Sequence, residues 1–224
     1  MPNNDAAIFK LFQLISPSLP IGGFTYSQGI EWAVEEGWIS DVNSLREWVE
    51  GLFQSSILYL ELPLLKRFYK AWSQGDEEEI IYWNQFLLAS RESYELRQEE
   101  INRARAMSDL LMTLDKSSIA FNEQLKKSQT ACYAYACVSW QVGLNKACEG
   151  FVWAWLENIV LSAIKIIPLG QTQGQKVLLE LAELIPAIIS QALLIDDEDV
   201  GCSNQALSIA SSQHETQYTR IFRS

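Results

Sequence analysis

Apolar residues in this chain recur at three- and four-residue steps over most of its length, and no run alternates cleanly in the two-residue rhythm of a half-buried strand. No Asn-Gly or Asp-Gly pair offers a tight hairpin turn either. These two properties restrict the chain to an all-α fold. From Val42 the stripe runs through Leu45, Val49, Leu52, Phe53, Ile57 and Leu60, with Ser40 and Asp41 placed to cap its free amides. Pro63, which has no amide hydrogen, is expected to kink or break this helix before a second one at Leu64 to Trp72. Gly75 marks the next turn, and Glu77 to Leu114 reads as one long helix or two abutting ones.

The following elements keep the same grammar. Ser128 to Val142 is rich in small residues (Ala131, Cys132, Ala134, Ala136, Cys137), which let neighbouring helices approach closely. It is therefore expected to be a central helix ended by Gly143. Asn145 to Ile167 is the most apolar helix, and Pro168-Leu169-Gly170 stops it. Thr172 and Gln175 have capping-box spacing for the next helix, which Pro186 should kink or split before Leu194. With 224 residues and no linker-like stretch, the expectation is one domain, 1–224, built as a multi-helix bundle. It would carry an irregular N-terminal segment, 1–30, and a tail, 200–224, that forms a short helix with a loose end.

Charge and composition narrow the partners. The formal net charge is −11, and Lys66-Arg67 and Lys126-Lys127 are the adjacent basic pairs, so neither nucleic acid nor an anionic membrane surface is expected. The apolar stretch Phe151 to Leu169 is interrupted by Glu157, Asn158 and Lys165, a poor membrane span. Met1 to Lys10 lacks the basic-then-apolar order of a secretory signal, so the expected compartment is the cytoplasm, with reduced cysteines.

Catalytic chemistry is sparse. The one histidine, His214, lies in a stretch that reads as a polar tail. Cys132 and Cys137 sit in an alanine-rich apolar segment, where cysteine acts as a small hydrophobe rather than a metal ligand. No phosphate-binding Gly-rich loop and no G-x-S-x-G elbow occurs. The expectation is a non-enzyme with no catalytic residues, no metal site and no cofactor. The charged stretch around Glu95, Arg97, Glu99, Glu100, Arg103 and Arg105 reads as a solvated face, with helix ion pairs worth about 0.2–0.5 kcal/mol each.

Three segments depart from plain helix grammar. Ser16 to Glu31 (SPSLPIGGFTYSQGIE) combines two prolines, three glycines, aromatics and polar groups. Pro168 to Gln175 gathers three glutamines and two glycines between apolar helices. At the end of the chain, Arg220 and Arg223 flank Ile221 and Phe222, an arrangement suited to docking.

Together these segments resemble the urease accessory protein family UreF. The resemblance is carried by Ser16, Pro17, Leu19, Pro20, Gly22, Phe24, Tyr26, Ser27, Gly29 and Glu31, by Arg91-Glu92-Ser93 with Glu95-Leu96-Arg97, by Trp155 to Asn158, by Pro168 to Thr172, and by Arg220 to Ser224. It departs at Asn102-Arg103-Ala104-Arg105, where the family's pattern implies a glycine-arginine pair. The resemblance implies an all-helical homodimer that joins the accessory protein UreD (UreH in some systems) and the nickel-binding GTPase UreG on apo-urease during nickel insertion. On that basis Gly22, Tyr26, Ser27, Gly29, Glu31, Arg220 and Arg223 are expected to form or support the partner surface. The alternative role is regulation of GTP hydrolysis by the partner GTPase.

Overall fold

A computed structural model describes residues 5–224, and among them the chain is all-helical with no strand. Twelve α-helices follow one another: α1 (Asp5–Ile15), α2 (Ile30–Glu35), α3 (Val42–Leu52), α4 (Leu62–Gln74), α5 (Glu77–Ala89), α6 (Tyr94–Leu114), α7 (Asn122–Leu125), α8 (Gln129–Ser139), α9 (Leu144–Ile166), α10 (Gln171–Ala182), α11 (Ile185–Ala192) and α12 (Gln205–His214). One large apolar core runs through them. At its centre lies α8, packed against α4 and α6. Every residue from Gln129 to Cys137 is buried, as the small side chains of that helix led one to expect. Apolar α9 packs against α1, α2, α10 and α11. It is long and apolar enough to cross a bilayer, but half of that stretch is covered by these neighbours.

Two glycines make the approaches to α9 close. A Cβ on Gly150 would stand 2.7 Å from Leu11 Cδ1, and one on Gly174 would stand 2.1 Å from Ile164 Cδ1. Only hydrogen leaves room for α1 and α10 at these distances.

Pro63 does not break the helix. Phe53–Glu61 winds as a π-helix that joins α3 to α4, with the Leu62 amide donating to the Ile57 carbonyl. In a regular ladder the residue at position 63 would donate to Tyr59. Proline has no such hydrogen, and the Gly201 amide donates to the Tyr59 carbonyl instead, at 2.8 Å. A tertiary contact thus replaces the hydrogen bond that proline removes.

Other expectations are corrected. Residues 1–30 are not irregular throughout, because Asp5–Ile15 forms α1 and buries Leu11 and Leu14. Residues 1–4 lie outside the described part. Ser139, not Gly143, closes α8; Gly143 stands at the start of α9. The Thr172/Gln175 capping box does not form: α10 begins at Gln171, with an extended Gly170 at its cap position and no side-chain cap. By contrast, Asp41 and Ser44 do exchange both bonds of a capping box at α3. The Glu77 to Leu114 stretch divides at residues 90–93, where Ser93 caps α6.

Candidate partner-docking site

The Pro- and Gly-rich segment after α1 follows a fixed path. Gly22 adopts a left-handed conformation (φ 71°) and launches a 3₁₀ turn at Gly23–Thr25. Gln28 (φ 54°) and Gly29 (φ 81°) are left-handed in succession, just before α2. A Cβ on Gly29 would lie 3.0 Å from both Ala210 Cβ and the Ser211 nitrogen, so this glycine lets the segment rest on α12.

The chain after α12 turns back along that segment, and it is not loose. The Arg223 amide donates to the Thr25 carbonyl at 2.8 Å. The carbonyl of Ser224 accepts from the amides of Ser27 (2.5 Å) and Gln28 (3.1 Å) and from the Ser27 hydroxyl (2.6 Å). One carboxylate, Glu31, accepts from the amides of Ile221 (2.6 Å) and Phe222 (2.8 Å). Phe222 and Ser224 are buried, and Lys165 Nζ stands 5.4 Å from the centre of the Phe222 ring.

His214 is not in a polar tail either. It is the last residue of α12 and is fully buried, because that helix packs on α2 and α6. Its Nδ1 lies 2.6 Å from Glu95 and its Nε2 lies 3.2 Å from Glu31. A neutral imidazole donates from one nitrogen only, so only the imidazolium donates to both carboxylates. The second Glu95 oxygen accepts from Arg220 at 2.6 Å.

The charged stretch of α6 divides: Arg105 is exposed as expected, whereas Glu95, Arg97, Glu99, Glu100 and Arg103 are partly or fully covered. Glu99 and Glu100 are buried. Glu99 accepts from Arg103 (2.8 Å), the side-chain Nε2 of Gln28 (3.0 Å) and the Ser224 hydroxyl (3.2 Å). Arg91 bridges Glu61 (2.5 Å) and Glu100 (2.6 Å), and Glu100 also accepts from the Thr130 amide at 2.9 Å. Burial works to raise the Glu100 carboxyl, but Arg91, the Thr130 amide and Arg103 together hold it below the ordinary range. Glu61 goes the other way, because burial outweighs Arg91 and pushes its carboxyl up. These groups line a cavity of about 190 Å³ between the N-terminal segment, α6 and α9.

Outside the seam, α6 and the tail form the walls of a second, open crevice of about 590 Å³. Tyr26, Tyr94, Gln98, Asn102, Glu215, Arg220, Phe222 and Arg223 line it. Tyr94, Gln98 and Asn102 are spaced four apart, so they form one stripe along α6. Arg223 is exposed and makes no ion pair among the described residues, while Tyr218 and Ile221 project into solvent beside it.

The expected partner residues thus divide. Tyr26, Arg220 and Arg223 line the crevice. Gly22 shapes the approach, Ser27 and Glu31 are buried and fasten the tail, and Gly29 is buried against α12. Sequence reasoning missed the fastening partners on the other side, namely Glu95, Glu99, His214 and Ser224. The signal available was their charge within otherwise apolar surroundings. Among the described residues no group of three His, Cys, Asp or Glu side chains is gathered in a way that would hold a metal ion. Cys132, Cys137 and Cys148 are buried, and burial pushes their thiols up, to about 12 at Cys137 and Cys148.

Comparison with known proteins adds an independent line. The UreF family model matches residues 39–182. The chain is similar to the urease accessory protein UreF of Alcanivorax borkumensis, with 48% identity over 99% of this chain and 100% of that protein. Its likeness to the urease accessory protein UreF of Pseudomonas putida strain W619 is 43%, over 99% of this chain and 100% of that protein. For the protein of the same name from Alkalilimnicola ehrlichii it is 41%, over 96% and 95%.

Proposed function

Because this chain belongs to the UreF family, we propose that it is a non-catalytic adaptor in urease maturation, joining a UreG-type GTPase to UreD/UreH on apo-urease in the cytoplasm during nickel insertion. The observation that carries the reading is the convergence of the irregular segment, the outer stripe of α6 and the Arg-Ile-Phe-Arg tail on one open crevice. Aromatic and Arg side chains are the usual anchors of protein interfaces. Here Tyr94 and Arg223 are exposed at one crevice, and Tyr218 and Ile221 are exposed on the same tail, on a chain of net charge −11.

The test must leave the fold intact. Deleting Tyr218 to Ser224 would remove buried Phe222 and Ser224 as well as the surface. Arg223→Glu changes only an exposed side chain. Affinity capture of the GTPase and of UreD/UreH by the Arg223→Glu protein is expected to fall about tenfold or more, the weight of an interface hot spot. Undiminished capture of both would overturn the assignment of the surface. A second reading rests on the same unpaired Arg223: a guanidinium supplied in trans to the partner's GTP site. GTP turnover by the partner separates the two, since an adaptor leaves the rate unchanged and a supplied arginine raises it. Self-association as a homodimer belongs to the same proposal, and light scattering on the purified chain tests it.

A further inference from the structure

We infer that Glu31 and His214 form a buried latch that positions the docking tail, so that the partner surface exists only while the latch is closed. This rests on the adaptor reading for its purpose, but not for its geometry. Glu31 is the first-turn residue of α2 and is 5% exposed. Its two oxygens accept from the amides of Ile221 and Phe222 and lie against the Nε2 of His214. The two amides belong to successive residues with opposite fates. Ile221 projects outward and Phe222 inward, so the carboxylate fixes the tail's rotation as well as its place.

His214 ties this carboxylate to a second one. Its other nitrogen meets Glu95, whose remaining oxygen holds Arg220. A continuous chain of hydrogen-bonded groups therefore runs from α2 through α12 to α6 and back to the tail. Arg220 joins the crevice at one end of the chain, and Arg223 follows two residues past the Ile221 amide. An unfastened tail would leave Glu31 and Glu95 beside His214 with their bonds to the tail unmade, so the closed state is favoured as a unit. Glu31 and His214 touch no partner in this scheme. They act through the tail, as positioning residues.

Glu31→Gln supplies the test, because the amide keeps the shape but not the charge. Amide hydrogen exchange resolved at single residues should speed up about tenfold or more at Ile221 and Phe222, the effect of weakening a charge-assisted bond, with α8 amides unchanged. Capture of the GTPase or of UreD/UreH should fall in parallel with Arg223→Glu. Unchanged exchange at Ile221 and Phe222 would overturn the latch. Faster exchange with full capture would keep the latch and overturn the docking reading instead. Should Glu31→Gln not fold, Ile221→Pro removes one donor at a residue whose side chain is exposed. Faster exchange at Phe222 is then expected, and normal protection there would overturn the latch.

Discussion

The contact between α4 and α8 and the charged seam around α6, α2 and the tail both exclude most water, yet they are built from opposite materials. The first is made of Leu64, Leu65, Phe68 and Trp72 against Ala131, Ala134, Tyr135 and Cys132. Its one conspicuous polar bond is from Trp72 Nε1 to the Ala131 carbonyl, at 2.9 Å. The second gathers Glu31, Glu61, Arg91, Glu95, Glu99, Glu100 and His214. An apolar contact gains in proportion to the area it hides and tolerates small shifts. A buried ionic seam gains only when every member is in place, and a missing partner leaves an uncompensated charge. The first arrangement therefore supplies stability, while the second makes the positions of the irregular segment and the tail conditional on each other.

Substitutions can break or sharpen this contrast, and the two largest effects fall one in each region. Phe68→Ala should cost about 3–5 kcal/mol through the cavity it leaves, read from urea denaturation, and by the same amount at pH 5 and pH 8. Arg91→Met should cost a similar 3–5 kcal/mol or so, because Glu61 and Glu100 stay buried without their counterion. Its pH dependence differs in kind. Losing Arg91 raises both carboxyls in the folded state. Groups so raised contribute stability that is present below the ordinary glutamate value of 4.5 and lost as pH rises. The Arg91→Met deficit should accordingly grow from pH 4 upward while the Phe68→Ala deficit stays flat. Parallel pH profiles for the two variants would erase the distinction drawn here.

Gly29→Ala comes next, at about 1–3 kcal/mol, since a left-handed backbone is strained for alanine and the new Cβ meets the Ser211 backbone at 3.0 Å. It should also loosen α12, so faster amide exchange at Ala210 and Ser211 is the sharper readout. A melting curve identical to that of the unaltered protein would mean that the loop does not bear on α12. The smallest effect is expected in the apolar region. Ser128→Ala removes the cap of α8, in which the hydroxyl accepts from the Ala131 amide and donates to Asn84 at 2.7 Å. About 1 kcal/mol is expected. A loss as large as that of Phe68→Ala would show that polar caps, not packing, hold α8 in place.

Legibility from sequence followed the same division. The apolar helices could be read from their periodicity, as the stripe from Leu45 to Leu60 and the alanine-rich α8 show. Burial of apolar side chains leaves a repeating signature, so Gln129 to Cys137 was recognisable as a central helix before any contact was known. The seam was misread because charge ordinarily marks the surface. Apart from the Arg103 partner of Glu99, one helical turn away, Glu99, Glu100 and His214 are held inside by partners 9 to 183 residues away in the chain, and local spacing carries no trace of those. For the site, the sequence singled out Tyr26, Arg220 and Arg223, which share a crevice, and whether a partner docks there belongs to the proposal. That Ser27 and Glu31 lie inside and fasten the tail, while Gly29 rests on α12, could not be read from their types alone.

By itself the sequence determined the all-helical class, most helix positions, and which segments would depart from helix grammar, because these follow from local periodicity and from the backbone limits of glycine and proline. Only the tertiary structure decided that the helix continues through Pro63, with Gly201 supplying the lost donor, and that Glu99 and Glu100 of α6 turn inward. It also decided that residues 220–224 are bound rather than loose. The physical reason is common to all three. Each depends on a hydrogen bond or ion pair between groups far apart in the chain, whose energy is realised only when folding brings both partners out of water together.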